Sequence, residues 1–232
     1  MTDGSVTQGA ITKLSDPSPR ERIIDALMNQ LAFQPIERIE IADVAKSAGV
    51  SLAELRDHFS SLTDIVGASM KDIDRKVLEA DLSDMDDEPV REKLFDILMR
   101  RLEALTPYKA AMRSLVRSAF RNPPLALALN TFTARSMSWM LTAAGISTAG
   151  PQGVLRAQGL ALAYARVLSI WVDDDDPGLA RTMAALDREL ARGQQLSGFV
   201  DRLFGVASRL QSGGRWRARR HRDVPPDGDV AA

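Results

Sequence analysis

The segment over residues 39–59 constrains the fold of this chain more than any other part of the sequence. It predicts two short helices joined by a tight turn, because Gly49 can adopt a positive φ at little cost and Ser51 is a favourable helix N-cap. Glu54 follows Ser51 at the spacing of a capping box. Two short helices joined in this way form a helix-turn-helix, a motif that can place its second helix in the major groove of DNA.

Apolar residues around this segment recur at helical spacing, which predicts the faces that are buried. A preceding helix is expected from Pro19 to near Phe33, before the break at Pro35. A fourth helix is expected to open at Ser61, whose spacing to Asp64 repeats that of the third helix. The expected core positions are Ile23, Ile24, Leu27, Met28 and Leu31 on the first helix, Ile41, Val44 and Ala45 on the second, Leu55 and Phe59 on the third, and Ile65, Met70, Ile73 and Val77 on the fourth.

The rest of the chain predicts an all-α fold. No alternating β-branched segment with turn signals occurs, so no sheet is expected. Helices are expected near residues 90–105, 108–120, 123–144, 152–172, 178–192 and 195–210, separated by proline and glycine breaks. Residues 1–17 are expected to form a flexible tail, the acidic run over residues 81–88 a solvated hinge, and residues 211–232 a disordered arginine-rich tail.

A set of residues in the first helices carries a family resemblance. They are Ile41, Asp43, Val44, Ala45, the run Ala48 to Ser51, Leu55, His58, Phe59, and the pair Ser60 and Ser61. In order and spacing, residues 20–70 resemble the DNA-binding domain of the TetR family of transcriptional regulators. The resemblance implies a homodimeric, ligand-responsive repressor that binds a double-stranded DNA operator. It divides the chain into a helix-turn-helix domain over residues 18–62 and a helical ligand-binding and dimerisation domain over residues 63–210.

Three positions depart from the pattern of that family. Glu40 stands where a threonine usually caps the second helix, Arg56 where a tyrosine is usual, and Leu62 where a lysine usually meets a phosphate. Residues 37–66 contain three cations and six acids, and the whole chain has a net charge of -1. Since phosphate neutralisation supplies most non-specific affinity, DNA binding is expected to be weak unless this shortage of positive charge is compensated. Arg56 is one candidate, because arginine can grip phosphate or read guanine.

The third helix is expected to present its outer face to DNA. The predicted contact residues are Ser51, Leu52, Ala53, Glu54, Arg56, Asp57 and His58. The alternative is a helix-turn-helix that serves only as a packing module. His58 could donate to a phosphate or, instead, to a backbone carbonyl at the helix end. The arginine-rich segment over residues 213–222, with Trp216, could bind DNA or anionic lipid. The alternative is a tail that is only solvated.

Large apolar side chains in the second half of the chain are candidates for a ligand pocket. The predicted lining is Phe120, Phe132, Met137, Trp139, Met140, Tyr164 and Trp171, and the alternative for each is ordinary core. Arg113, Arg117 and Arg135 lie on otherwise apolar helices, where one could anchor an anionic head group or each could lie on a solvated face. The unknown ligand is expected to be small and apolar or amphipathic.

Small residues along the helix near 152–172, such as Ala157, Gly159 and Ala161, would let another helix approach closely. With the helix near 178–192, it is expected to form half of a four-helix seam in a homodimer, as the family resemblance implies. The alternative is close packing within one chain.

A second resemblance supports a different function. Trp171, Asp174, Thr182 and the run Leu186 to Arg188 are similar to a pattern in the lipid-binding family that assists ubiquinone biosynthesis, which shares the TetR-like fold. It implies, as the alternative, a non-catalytic lipid or isoprenoid carrier with a vestigial helix-turn-helix.

The composition argues against most enzyme classes. The chain has no cysteine and two histidines, His58 and His221, so a Ser-His-Asp triad and a histidine-rich metal site are not expected. No glycine-rich phosphate motif occurs, and no cofactor is expected. The aspartates of residues 173–176 lack the acid that ends a calcium loop, so Asp176 is expected to cap a helix with Pro177 as its first residue. Since the sequence shows no signal peptide and no spanning segment, a cytoplasmic protein is expected. Because the catalytic motifs named above are missing, the protein is not expected to be an enzyme.

Overall fold

The computed structural model describes residues 16–80 and 88–193. In these two ranges the chain is helical and contains no strand, which confirms the predicted all-α class. The helices are α1 (Pro19–Leu31), α2 (Ile41–Ala48), α3 (Leu52–His58), α4 (Leu62–Glu79), α5 (Val90–Leu105), α6 (Lys109–Ala119), α7 (Pro123–Ala143) and α8 (Gly150–Trp171). Short 3-10 turns span Ile36–Arg38 and Thr106–Tyr108, and a further helix, α9, runs from residue 180 to residue 193, where the described range ends.

Helix α1 begins where its capping residues satisfy the first backbone groups. Ser18 accepts a hydrogen bond from the Glu21 N–H at 3.3 Å, and the Glu21 carboxylate accepts from the Ser18 N–H at 2.8 Å. These bonds form a capping box, with Pro19 at the start of the helix. The bond from the Ser18 backbone is the main cause of the lowered pKa of Glu21. The helix ends at Leu31, slightly before the predicted end.

The first of two compact units contains residues 16–80 and 100–136 of the described chain, and α1 packs there against α2, α3, α4 and α6. The predicted core positions on α1, α3 and α4 are buried, as are Val44 and Ala45 on α2. The prediction for Ile41 is wrong, since this side chain is 36% exposed. It occupies the first position of α2, at the end of the buried face.

A buried ion pair joins three helices of this unit. Arg101 on α5 donates from Nε to Asp74 on α4 at 3.0 Å and from Nη2 to Ser136 on α7 at 3.1 Å. The Ser136 hydroxyl donates in turn to Asp74. Arg101 is 1% exposed, so its charge is balanced by protein groups in place of water.

The second compact unit contains residues 88–99 and 137–193 of the described chain. Tyr164 and Trp171 lie in its core. After α8, the buried Asp174 carboxylate accepts from the Thr182 N–H at 3.0 Å and from the Thr182 hydroxyl at 2.6 Å. The hydroxyl bond is the main cause of the lowered pKa of Asp174. These bonds tie the loop after α8 to the first turn of α9.

The start of α9 differs in part from the sequence prediction. Asp176 does cap this helix, since its carboxylate accepts from the N–H groups of Gly178 at 3.2 Å and Ala180 at 3.3 Å. Pro177 is not the first helical residue, however, because α9 begins at residue 180. Leu179 has a φ of 51°, and this left-handed residue separates a Pro177–Gly178 turn from the helix.

Several sequence predictions fall outside the described residues. They concern nearly all of the N-terminal tail, the acidic hinge, the helix near 195–210 and the arginine-rich tail with Trp216 and His221. The domain boundary at residue 62 stays a prediction, since α4, α6 and the first part of α7 share one compact unit with α1, α2 and α3. None of the helices in the described ranges is both long and apolar enough to cross a membrane.

Candidate nucleic-acid interface

A left-handed turn links α2 to α3. Gly49 has a φ of 64° and a ψ of 37°, and the following Val50 N–H donates to the Ala45 carbonyl at 3.1 Å. These features close α2 and let the chain change direction. Ser51 then caps α3 by accepting from the Glu54 N–H at 3.1 Å. The predicted turn and its N-cap are therefore confirmed.

Replacing Gly49 with alanine is expected to lower the free energy of unfolding by about 1–2 kcal/mol, because a residue with a Cβ is strained at positive φ. The strain lies in the backbone alone, since apart from Gly49 and its two chain neighbours no atom of the described residues lies within 4 Å of the position of the new Cβ. Asparagine tolerates left-handed backbone, so Gly49→Asn should cost less. Urea denaturation should rank the proteins in the order glycine, asparagine, alanine. An alanine variant as stable as the native protein would contradict this account of the turn.

Helix α3 is anchored on one side and exposed on the other. Leu55 and Phe59 are buried in the first unit. The outer side carries the predicted DNA-contact residues: Ser51, Leu52, Ala53, Arg56, Asp57 and His58 are exposed, and Glu54 is half-buried. Leu52 is 56% exposed, which is a large apolar area for a free helix surface. The structure therefore places six of the seven residues on one short, accessible helix, with Ser51 as its N-cap.

This surface has few positive charges. Glu40 is the N-cap of α2, and its side chain makes no capping hydrogen bond. Leu62 is the first residue of α4, which begins at the Ser61 cap. Two of the three departures from the family pattern, Glu40 and Leu62, thus lie at the N-terminal ends of helices. Arg56 is the arginine on the exposed face of α3.

The sequence interpretation missed Arg22 on α1. Its Nε donates to the Ala48 carbonyl at 3.1 Å, at the last residue of α2. The guanidinium ties α1 to the turn and places a cation where the dipole of α2 favours one. Arg22 directly precedes the buried pair Ile23 and Ile24, so it lies at the edge of the buried face of α1. This location could have been predicted from the sequence.

The predicted pocket residues lie in three different environments. Phe120 and Trp139 are 81% and 60% exposed, so they lie on the surface of the described chain. Phe132 is half-buried and would be 3.0 Å from a Cβ added at Gly67. Met137, Met140, Tyr164 and Trp171 are buried core residues. A pocket role for the seven residues stays a prediction. Arg135 is exposed on α7.

Two cavities are formed by other residues. One, of ≈ 760 Å³, lies on the first unit between the end of α1 and α6. The other, of ≈ 650 Å³, lies on the second unit between Ile170 on α8 and α9. None of the seven predicted pocket residues lines either cavity.

Helix α8 has an apolar face that the described residues leave exposed. Val154, Leu155, Gly159 and Leu162 lie on α8, and Met183 lies on α9. Ala157 and Ala161, in contrast, are buried within the unit. The small residues of α8 therefore serve partly for packing within the chain, while the exposed face leaves room for a partner helix.

The residues of the lipid-carrier resemblance are explained by packing. Trp171 and Leu186 are buried, and Asp174 is bonded to Thr182 in the first turn of α9. Asp187 accepts from Arg91 Nη2 on α5 at 2.5 Å. The pattern thus connects helices of the second unit and is compatible with either function.

The fold is that of the TetR transcriptional regulators. The chain is similar to such a regulator from Nitrosomonas europaea, with a TM-score of 0.59 and 21% identity over 78% of this chain and 99% of that chain. A TetR regulator from Rhodococcus sp. RHA1 matches with a TM-score of 0.52 and 20% identity, over 75% of this chain and 95% of that chain. A third, from Streptomyces coelicolor, matches with a TM-score of 0.50 and 14% identity, over 83% and 87% of the two chains.

No protein-family model matches the sequence, and no curated protein matches it. At the identities of the structural matches, the likeness establishes the fold. The function must therefore be argued from the residues of this chain.

Proposed function

We propose that this protein is a DNA-binding transcriptional regulator that acts in the cytoplasm and reads DNA with α3. The observation that carries the proposal is the exposed outer face of α3, on a helix-turn-helix closed by Gly49 and capped by Ser51. A helix presented in this way fits the major groove. Leu52 offers an apolar contact for a thymine methyl group, and Arg56 offers paired donors for guanine O6 and N7.

The direct test is the binding of purified full-length protein to a fluorescent duplex from the region upstream of its own gene. A scrambled duplex of the same composition serves as the control, and fluorescence anisotropy is measured at two salt concentrations. The proposal predicts that the upstream duplex binds at least about tenfold more tightly, since specific sites commonly exceed non-specific ones by far more. Equal affinities for the two duplexes at both salt concentrations would contradict it.

We further propose that the regulator is a homodimer joined through the exposed faces of α8 and α9. Large contiguous apolar patches are uncommon on monomers, and Leu155 and Leu162 are exposed on the same helix. A twofold dimer would also present two copies of α3 to half-sites about 34–36 Å apart.

Substituting Leu162 with glutamate is expected to convert the dimer to a monomer, because the carboxylate would be buried without a partner. Size-exclusion chromatography with light scattering should show a mass near the 25.4 kDa of one chain. Leu127→Glu on α7, where the leucine is 68% exposed, is the matched control and should remain dimeric. A native protein that is already monomeric, or a Leu162→Glu variant that stays dimeric, would exclude this seam.

We also propose that the regulator is a repressor released by a small ligand. The support is architectural: α4 begins directly after α3 at the Ser61 cap and is tied by Asp74 to Arg101. A change in the packing around α4 would therefore move α3. In a dimer, a small tilt of α4 would misplace the two helix-turn-helix units relative to the fixed DNA half-sites. A reporter gene behind the upstream region should be more active in cells that lack the protein; lower activity would indicate an activator.

The acidic surface around α3 favours the lipid-carrier alternative. Its test is organic extraction of the purified protein followed by mass spectrometry. A stoichiometric lipid in a protein that shows no preference for its upstream DNA would support the carrier and reject the regulator.

A further inference from the structure

The cavity of ≈ 760 Å³ on the first unit is a groove with two chemically different walls. Apolar residues from the end of α1 and the chain after it form one wall, and arginines from α6 and the turn after it form the other. The apolar residues are Leu31, Phe33 and Pro35, and the arginines are Arg113, Arg117 and Arg121. Arg113 and Arg117 are four residues apart and lie on the same side of α6, and Arg121 lies in the turn after it.

The lining of the groove has an excess of positive charge. Three of the described residues that line it are arginines and one, Glu37, is a carboxylate, so the lining residues together carry a net charge of +2. Glu37 is held in place, because it accepts from the Ser118 hydroxyl at 2.9 Å and from Asn122 Nδ2 at 3.2 Å. Burial alone would raise the pKa of Glu37, but its hydrogen bonds and the charge of Arg121 outweigh burial and lower this pKa.

Phe33 adds an apolar surface next to these charges. Its side chain is 91% exposed, although an aromatic ring of this size is usually covered. An apolar rim beside a cationic wall is complementary to a molecule with an anionic head and an apolar body. The groove volume lies within the usual range for small-molecule sites, about 300–1,000 Å³.

We infer that this groove binds a small organic anion, with its carboxylate or phosphate held by the arginines and its apolar part against Phe33. Charge-assisted hydrogen bonds from arginine to such groups are among the strongest in proteins. The inference deepens the proposed function, on which its regulatory consequence rests. In the groove, the Ser114 hydroxyl donates to the Gln34 carbonyl at 3.1 Å and ties α6 to the segment that leads into α2. A bound anion would change the contact between α6 and this segment, and with it the position of the helix-turn-helix.

The test is isothermal titration of the full-length protein with octanoate, and with octanol as its neutral counterpart. Octanoate should bind at least about tenfold more tightly than octanol, since charge-assisted bonds add affinity that an alcohol lacks. The double variant Arg113→Gln/Arg117→Gln should lose at least about tenfold in octanoate affinity. The matched control is Arg181→Gln/Arg188→Gln, which removes two arginines from the cavity of the second unit and should bind octanoate as the native protein does.

A second variant keeps the test decisive if the double arginine variant does not fold. Phe33→Gln changes a surface side chain and should weaken octanoate binding without lowering the thermal midpoint. Octanoate binding that is unchanged in both groove variants, or lost in the Arg181→Gln/Arg188→Gln control alone, would overturn the inference. Because titration involves no DNA, arginine-dependent binding by a protein that ignores its upstream DNA would keep the site and reject only the regulator.

Discussion

Replacing Arg101 with methionine is expected to lower the free energy of unfolding by about 3–5 kcal/mol, because it leaves the charge of Asp74 buried without its partner. Asp74 would retain its bond from Ser136, which does not neutralise the carboxylate. Since Asp74 lies on α4 and Ser136 on α7, the loss should loosen both helices. Urea denaturation at a fixed protein concentration, followed by circular dichroism, measures the change.

Two controls separate the ion pair from a general effect of removing an arginine. Arg100→Met changes the neighbouring half-buried residue of α5 and should cost less than about 1 kcal/mol. A variant that replaces the whole network with apolar groups, Asp74→Leu/Arg101→Met/Ser136→Ala, should recover most of the loss. If Arg101→Met were no less stable than Arg100→Met, the ion pair would have no structural importance.

Replacing Arg56 with alanine is expected to weaken operator binding by about 1–3 kcal/mol at each half-site, or roughly 5- to 150-fold for each head. Arg56 has this effect because the surrounding surface supplies few other cations, so each remaining contact carries a large share of the affinity. The loss should be greatest on the native operator, with base preference relaxed at the position that Arg56 contacts. Anisotropy titrations with the upstream and scrambled duplexes measure both effects.

Arg75→Ala is the matched control for this prediction. Arg75 is exposed on α4 and lies 3.7 Å from Glu79 in a surface ion pair, so its loss changes net charge equally without touching α3. It should leave operator affinity nearly unchanged. Arg56→Ala binding the operator as tightly as Arg75→Ala does would remove Arg56 from the interface.

Local chemistry explains why the helix-turn-helix was predictable. A left-handed glycine, a serine cap and apolar residues at helical spacing are each set by neighbours within about one or two turns of helix. For the same reason Gly49, Ser51 and Leu55 occupy the predicted positions. The failures also have local causes: Ile41 stands at a helix end, and Leu179 breaks the expected path from Pro177 into α9.

Long-range pairing was not predictable in this way. Arg101 and Asp74 are 27 residues apart, and Ser114 and Gln34 are 80 apart, so no helical spacing indicates their contact. A pocket could not be assigned for the same reason, because large apolar side chains at helical spacing fit a core, a cavity wall or a surface equally well. Phe120 and Trp139 proved to be exposed, while Arg113 and Arg117 proved to line a groove that includes Leu31 of α1 and the segment after it.

Methylation interference shows whether α3 enters the major groove. Dimethyl sulfate modifies guanine N7, which lies in the major groove. The upstream duplex is partly methylated, bound by the protein, and the free and bound fractions are compared guanine by guanine. If α3 of each protomer lies in the major groove, interference is expected in two tracts whose centres lie about 10–10.5 base pairs, or a multiple of that, apart. Binding that is unaffected by methylation at every guanine, or the absence of a specific complex, would contradict it.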